Sequence, residues 1–145
     1  MQLVVFSSGG EDFGVTIDQV REINRLVPIT ALPKAPASVL GIINLRGKVI
    51  PVISLRERFG FEKGQNDEAT RIVISEVAGQ TVGFVVDAVM EVLRLEESLI
   101  EPPPENAAGV DSAFIRGIGK VNERLIIVLD LAKVLEIAAP TGAVV

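Results

Sequence analysis

The chain contains no cysteine, no histidine, no tryptophan and no tyrosine. Without cysteine there is no disulfide framework, no thiolate nucleophile and no cysteine metal site. Without histidine the commonest general base, the Ser-His-Asp arrangement and the usual zinc ligand disappear together. Six phenylalanines are the only aromatic residues, so few rings are available to stack on single-stranded nucleic acid. Positive charge is also short: 14 Lys and Arg stand against 19 Asp and Glu, giving a net charge of −5 and a pI of about 4.8. Nucleic-acid binding rests mainly on neutralising phosphates, so this balance argues against it. No apolar run approaches the roughly 18 residues that cross a bilayer. The opening stretch MQLVVFSSGGEDFG lacks the basic region of a secretory signal. These absences predict a soluble, cytoplasmic protein without direct membrane insertion.

What the chain does have is aliphatic content. Apolar residues make up 48% of 145 residues and mean hydropathy is +0.44, which predicts a large core or an exposed apolar patch rather than disorder. The organising stretch is Gly41–Leu55, GIINLRGKVIPVISL. It reads as two apolar strands around a polar turn, Asn44-Leu45-Arg46-Gly47-Lys48, where Asn and Gly tolerate left-handed backbone. The arms are expected inside and the Arg46 guanidinium outside, at the hairpin tip.

In chain order, residues 2–6 and 13–17 form a first expected hairpin. Asp18 is then expected to cap a short helix over DQVREINRL, with Val20, Ile23 and Val27 as its apolar stripe. Residues 28–38 hold three prolines and read as extended loop. Ser54 and Glu57 fit a capping box for one helical turn, and residues 60–70 read as a connection. The pattern then restarts: strands at 71–75 and 81–86, a helix capped by Asp87 over AVMEVLRL, a Pro102-Pro103-Pro104 loop, a hairpin over 114–129, and a turn of helix capped by Asp130. Residues 138–145 read as a tail.

The restart is an internal repeat. FGVTIDQVREI (13–23) precedes VGFVVDAVMEV (82–92) by 69 positions, with Gly14/Gly83, Asp18/Asp87, Val20/Val89 and Glu22/Glu91 identical. Residues 41–59 precede 117–135 by 76, with Gly41/Gly117, Ile42/Ile118, Val52/Val128 and Leu55/Leu131 identical. A unit of about 70 residues supplies little core alone, so two copies should bury a face against each other. Five short strands per half, with turns every 8–12 residues, predict a small closed barrel per half. The first subdomain is expected over about residues 13–70 and the second over about 71–135, with terminal strands and tail exchanged between them. Arg46-Gly47 occurs once only, since the second hairpin has Asn122-Glu123 at the same place. A residue the fold requires should recur in both copies.

No motif supports an enzyme. The acid pairs Glu11-Asp12, Asp67-Glu68 and Glu96-Glu97 fall in turns or linkers, where carboxylates are usually solvated. No glycine-rich phosphate motif opens a helix, and no segment has the alternating oxygen ligands of a calcium loop. No metal or cofactor is expected. A binding surface remains, built from Val20, Ile23, Val89 and Val92 and framed by Arg46, Glu22 and Glu91. The competing assignment for those four aliphatics is internal core. The alternative function is a small β-barrel enzyme or ligand carrier, which would need a closed cavity with convergent carboxylates.

The motif Asn44-Leu45-Arg46-Gly47 followed by Pro51-Val52-Ile53 and Leu55, together with FGVTIDQVREI and VGFVVDAVMEVL, resembles the CheW family of chemotaxis adaptors over residues 2 to about 137. The resemblance implies a mostly β fold of two pseudo-repeated five-stranded SH3-like barrels that share a hydrophobic core, with short helices. It implies no catalysis. It implies two partners, the histidine kinase CheA, through its regulatory domain, and the cytoplasmic tip of chemoreceptors. By analogy, Val20, Glu22, Ile23, Arg46, Gly83, Val89 and Val92 line or support the receptor-binding groove, in helix-in-groove recognition. Kinase contacts are implied near Glu101 and Asn106, where members of the family often carry a basic and an aromatic residue instead.

Overall fold

The computed structural model describes residues 1–62, 64–104, 106–107 and 109–136, with backbone alone at 106–107. The expected tail over 138–145 lies outside the described residues. In order, the elements are β1 (Gln2–Ser8), β2 (Glu11–Thr16), β3 (Val20–Arg25), β4 (Val39–Leu45), β5 (Lys48–Ser54), α1 (Leu55–Arg58), β6 (Arg71–Val77), β7 (Gln80–Val86), β8 (Ala88–Arg94), β9 (Ile100–Glu101), β10 (Asn106–Ala107), β11 (Val110–Asp111), β12 (Ile115–Val121), β13 (Arg124–Leu129) and α2 (Leu131–Val134).

Four hairpins set the local structure of the two main sheets. Their two-residue turns are Gly9-Gly10, Arg46-Gly47, Ala78-Gly79 and Asn122-Glu123, and both residues of every turn have positive φ. That is the geometry whose twist matches paired strands. Asn44 reinforces the second turn by accepting from the Gly47 N–H at 2.9 Å. Each helical turn is capped as expected: Ser54 Oγ accepts from the Glu57 N–H and Asp130 Oδ1 from the Lys133 N–H, both at 3.3 Å.

The two capped helices expected after Asp18 and Asp87 are strands. A single 3-10 turn spans Ile17–Gln19, after which β3 pairs with β6 and β8 pairs with β1. Both strands carry a bulge, with Arg21 and Met90 as the extra residues. A bulge breaks strict alternation, which is why these short β-branched segments imitate a helical stripe. Arg21 and Met90 are 69 positions apart, and the bulges at Leu40 in β4 and Arg116 in β12 are 76 apart. The repeat therefore includes its irregularities.

The main sheets are five-stranded, in the order β3-β6-β7-β5-β4, and six-stranded, in the order β8-β1-β2-β13-β12-β9. Sheet membership does not follow the expected cut near residue 70. β1 and β2, from the first half, pair with β8 and β13 of the second; β6 and β7, from the second half, pair with β3 and β5 of the first. The halves exchange their opening hairpins. Each exchanged hairpin joins through an equivalent parallel pairing, Val128↔Gly14 and Val52↔Gly83.

Exchange explains why the strands are apolar on both faces. In β1, Leu3 and Val5 pack with Leu95, Ile126 and Val128 inside the six-stranded sheet, whereas Val4 and Phe6 join a central cluster. In β6, Ile72 and Ile74 pack with Ile43, Ile50 and Val52 inside the five-stranded sheet, and Val73 faces the centre. The central cluster holds Phe6, Phe13, Phe59 and Phe84 beside Ile53, Val86, Leu131 and Val134, so both sheets share it. At roughly 25 cal/mol per Å² of apolar area, this common layer is the main force holding the sheets together.

Gly41 and Gly117 recur for a steric reason. In the first half the chain after β3 crosses β4 through the Thr30–Ile42 bridge; in the second, β9 crosses β12. A Cβ at Gly41 would collide with the Thr30 carbonyl, and one at Gly117 would stand 2.9 Å from the Glu101 carbonyl oxygen. Only glycine permits so close an approach.

Candidate functional site

β3 and β8 are equivalent strands, each at one end of its sheet. Each begins at the central cluster: Val20 and Val89 are half-buried and pack against it. Further along, Ile23 and Val92 point outward, 39% and 50% exposed. Two strands from two sheets therefore present aliphatic side chains on either side of the common core. Met90, at the β8 bulge, adds an exposed thioether, a flexible apolar group suited to adaptable contacts.

Charge frames both strands through ion pairs that the repeat relates. Arg46 reaches back from its turn to Glu22 in β3 with both terminal nitrogens, the longer contact being Nη1 to Oε1 at 3.3 Å. Its side chain is 70% exposed and that of Glu22 is 29% exposed. The hydrogen bond from Arg46 holds the Glu22 carboxyl below the usual glutamate range, and Glu22 raises Arg46 in return. So exposed a pair is screened by water and adds little stability; what it does is fix where both groups point. In the second half Glu91, the copy of Glu22, is bound by Arg124 Nη1 at 2.6 Å. The Arg124 side chain, 35% exposed, also donates from Nη2 to Asp12 Oδ2 at 3.2 Å. Glu91 first and Asp12 second raise its basicity.

This second tie was not legible from the repeat at face value. The copy of Arg46 is Asn122, and the guanidinium comes two residues later, from the copy of Lys48. The signal was present in the offsets: Glu22 to Glu91 is 69, Lys48 to Arg124 is 76. The hairpins also leave equivalent aliphatics outside, Val49 at 62% and Leu125 at 61% exposure. Val49 was expected among the buried arms. It lies opposite the exposed Asn44, whereas Ile43, Ile50, Val52 and Ile53 are buried as expected.

Of the expected receptor residues, Val20 and Ile23 share one face of β3, opposite Ser75 and Val73, Glu22 takes the other, opposite Ile74, where Arg46 binds it, and Val89 and Val92 lie on β8. Gly83 is elsewhere. It is buried in the five-stranded sheet, where a Cβ would stand 3.0 Å from Ile72 Cγ2 and 3.2 Å from Ile74 Cδ1. Gly14 sits likewise against Ile126 and Leu3 in the other sheet, so the identity of this pair reflects packing. Glu101 is exposed in β9, opposite Ile118 of β12. It borders an apolar depression of about 410 Å³ with Leu125, Ile127 and Pro102, rimmed also by Glu11. Asn106 pairs through its backbone with Asp111; its side chain is outside the described residues. The buried polar side chains among the described residues are Ser8, Ser38, Thr70 and Ser75, none of them a carboxylate.

A family model for the CheW-like domain matches residues 2–139. The chain is 38% identical over 130 residues to the probable chemotaxis protein CheW of Rhizobium etli, covering 90% of this chain and 84% of that one. It is 36% identical over 133 residues to the chemotaxis protein CheW of Rhizobium meliloti, covering 92% and 86%. The crystal structure of the scaffolding protein TtCheW from Thermoanaerobacter tengcongensis superposes with a TM-score of 0.84 at 45% identity, covering 90% of this chain and 84% of that one.

Proposed function

The chain belongs to the CheW family of chemotaxis scaffolds, which are adaptors and not enzymes, and from that premise we propose that it couples methyl-accepting chemoreceptors to the histidine kinase CheA. The receptor's helical hairpin tip docks across β3 and β8. Val20, Ile23, Val89 and Val92 form the apolar floor, and the Glu22–Arg46 pair fixes register from one side. The observation that carries this reading is that two equivalent end strands, one per sheet, rest their inner residues on a common core while their outer aliphatics stay exposed. Gly83 supports the floor from inside the five-stranded sheet and makes no contact itself. The regulatory domain of CheA binds at the depression beside Glu101, which Pro102 and Pro104 also line. Residues 1–145 act as one domain, in the cytoplasm; no helix among the described residues is long and apolar enough to cross a membrane.

Two calorimetric titrations test the coupling. The isolated CheA regulatory domain should bind the chain saturably at one-to-one stoichiometry. A receptor-tip hairpin should bind as well, and Arg46→Glu should weaken that second interaction while leaving the kinase titration and the fold unchanged. A folded chain that binds neither partner would contradict the coupling role.

A further inference from the structure

We propose that Arg56 and Arg58, the two guanidinium groups of α1, are positioning residues that set one sheet against the other and thereby keep the β3–β8 docking face in shape; the second clause rests on the coupling function proposed above.

α1 follows β5 and belongs to the five-stranded side. Asp87 is the single residue between β7, in that sheet, and β8, in the other. Arg56 Nε donates to Asp87 Oδ1 at 3.0 Å and Nη2 to Oδ2 at 2.6 Å. The same Oδ2 accepts from the Gly9 N–H at 3.0 Å, in the turn between β1 and β2 of the six-stranded sheet. The Asp87 N–H donates to the Ser7 carbonyl at 2.9 Å. The crossover residue is thus held at once by the helical turn of one sheet and the hairpin of the other. Arg56 is itself anchored, donating from Nη1 to the Glu62 carbonyl at 3.1 Å.

Arg58 makes a second tie from the same helical turn. Its Nε donates to the Val134 carbonyl at 2.9 Å and Nη2 to the Lys133 carbonyl at 3.3 Å. Both carbonyls belong to the last turn of α2. Its guanidinium also lies 4.6 Å from the Phe114 ring centroid, a cation–π distance. The repeat places Ala132 and Val134 at the corresponding positions of α2, and neither can form such a tie. The shared apolar core is non-directional and resists separation of the sheets better than rotation. Two guanidinium forks at separate points supply direction. Val89 lies two residues beyond Asp87, so rotation at the crossover would move the β8 half of the docking face.

Because the chain has no cysteine, introduced cysteines can be nitroxide-labelled selectively and their separation read by pulsed electron paramagnetic resonance. Labels at Arg25→Cys and Arg94→Cys span the two sheets; labels at Arg25→Cys and Lys48→Cys stay within one. The R56A/R58A variant should broaden the cross-sheet distance distribution and leave the within-sheet one unchanged. R56K, which keeps the charge and is the milder change, should broaden it too, because an ammonium cannot span both Asp87 oxygens. Unlabelled R56A/R58A should bind the receptor hairpin roughly tenfold more weakly, the size of an ordinary coupling energy. An unchanged cross-sheet distribution in both variants would overturn the positioning role. Broadening with unaltered receptor affinity would overturn its link to the docking face. Absent binding by the wild-type chain would instead count against the coupling function, and the label distances would still decide the ties.

Discussion

The two halves of this chain agree in their backbone and differ in their outward chemistry. Both use hairpins with two positive-φ turn residues, bulges at corresponding positions, and a glycine under a crossing segment; both exchange the opening hairpin through a parallel pairing. Those devices are what a barrel-like sheet needs to close and to share a core. The differences lie at surfaces. Glu22 is held by a solvent-exposed arginine at a hairpin tip, whereas Glu91 is held by a less exposed one that also binds Asp12. α1 carries Arg56 and Arg58 where α2 carries Ala132 and Val134. Duplication supplied the architecture, and divergence of the copies placed the contacts.

The largest effect should come from the layer the halves share. Phe84→Ala empties space beside Phe6 and should cost about 3–5 kcal/mol. In urea, probes placed in either sheet should report one common transition. Two separated transitions would mean that the sheets fold independently. The crossing glycines sharpen the comparison. Gly41→Ala meets a backbone carbonyl at φ +147° and should cost about 3 kcal/mol or more. Gly117→Ala meets the movable Ile100 side chain and, less closely, at 2.9 Å, a backbone carbonyl, that of Glu101, and should cost less, about 1–3 kcal/mol. Equal losses would remove the asymmetry inferred for the two crossings.

At the turns, Glu123 holds φ +68° without being glycine. Glu123→Gly should therefore stabilise the second hairpin, by about 0.5–1 kcal/mol, whereas Gly47→Ala should destabilise the first by a similar amount. Both are read from midpoints of thermal unfolding. The smallest effect is electrostatic. Arg46 lowers the folded-state pKa of Glu22, so the pair's contribution is fully present above the ordinary glutamate range and is lost as pH falls through the lowered value. Arg46→Ala should lower the midpoint only slightly at neutral pH, and the difference should vanish in acid, once Glu22 is protonated in both proteins. Arg124→Ala should lower the midpoint measurably, because two carboxylates lose one partner.

Much of the fold was legible because hairpin signals are local. Turn residues flanked by apolar runs gave the hairpin arms, and Ser54 and Asp130 marked the helical turns. β3 and β8 were misread because bulges at Arg21 and Met90 disturb the alternation by which strands are recognised. Exchange of terminal strands was expected, but not that of both whole opening hairpins, β1–β2 and β6–β7, because sequence order records which strands exist but not which half they join. Arg46 stood out because the Arg-Gly tip occurs once; its tie to Glu22 is a tertiary contact that the sequence does not record. Gly83 entered by resemblance alone, and its identity with Gly14 is accounted for by packing under Ile72 and Ile74. Arg124 was missed because its tie to Glu91 is displaced by two residues from the copy of Arg46.

Whether both halves build one docking face is read from amide hydrogen exchange of the chain with and without a receptor-tip hairpin. Bound hairpin should slow exchange in residues 20–25 and residues 88–94 together, leaving residues 118–127 unchanged. Protection of one strand without the other, or protection confined to the depression beside Glu101 and Leu125, would contradict it.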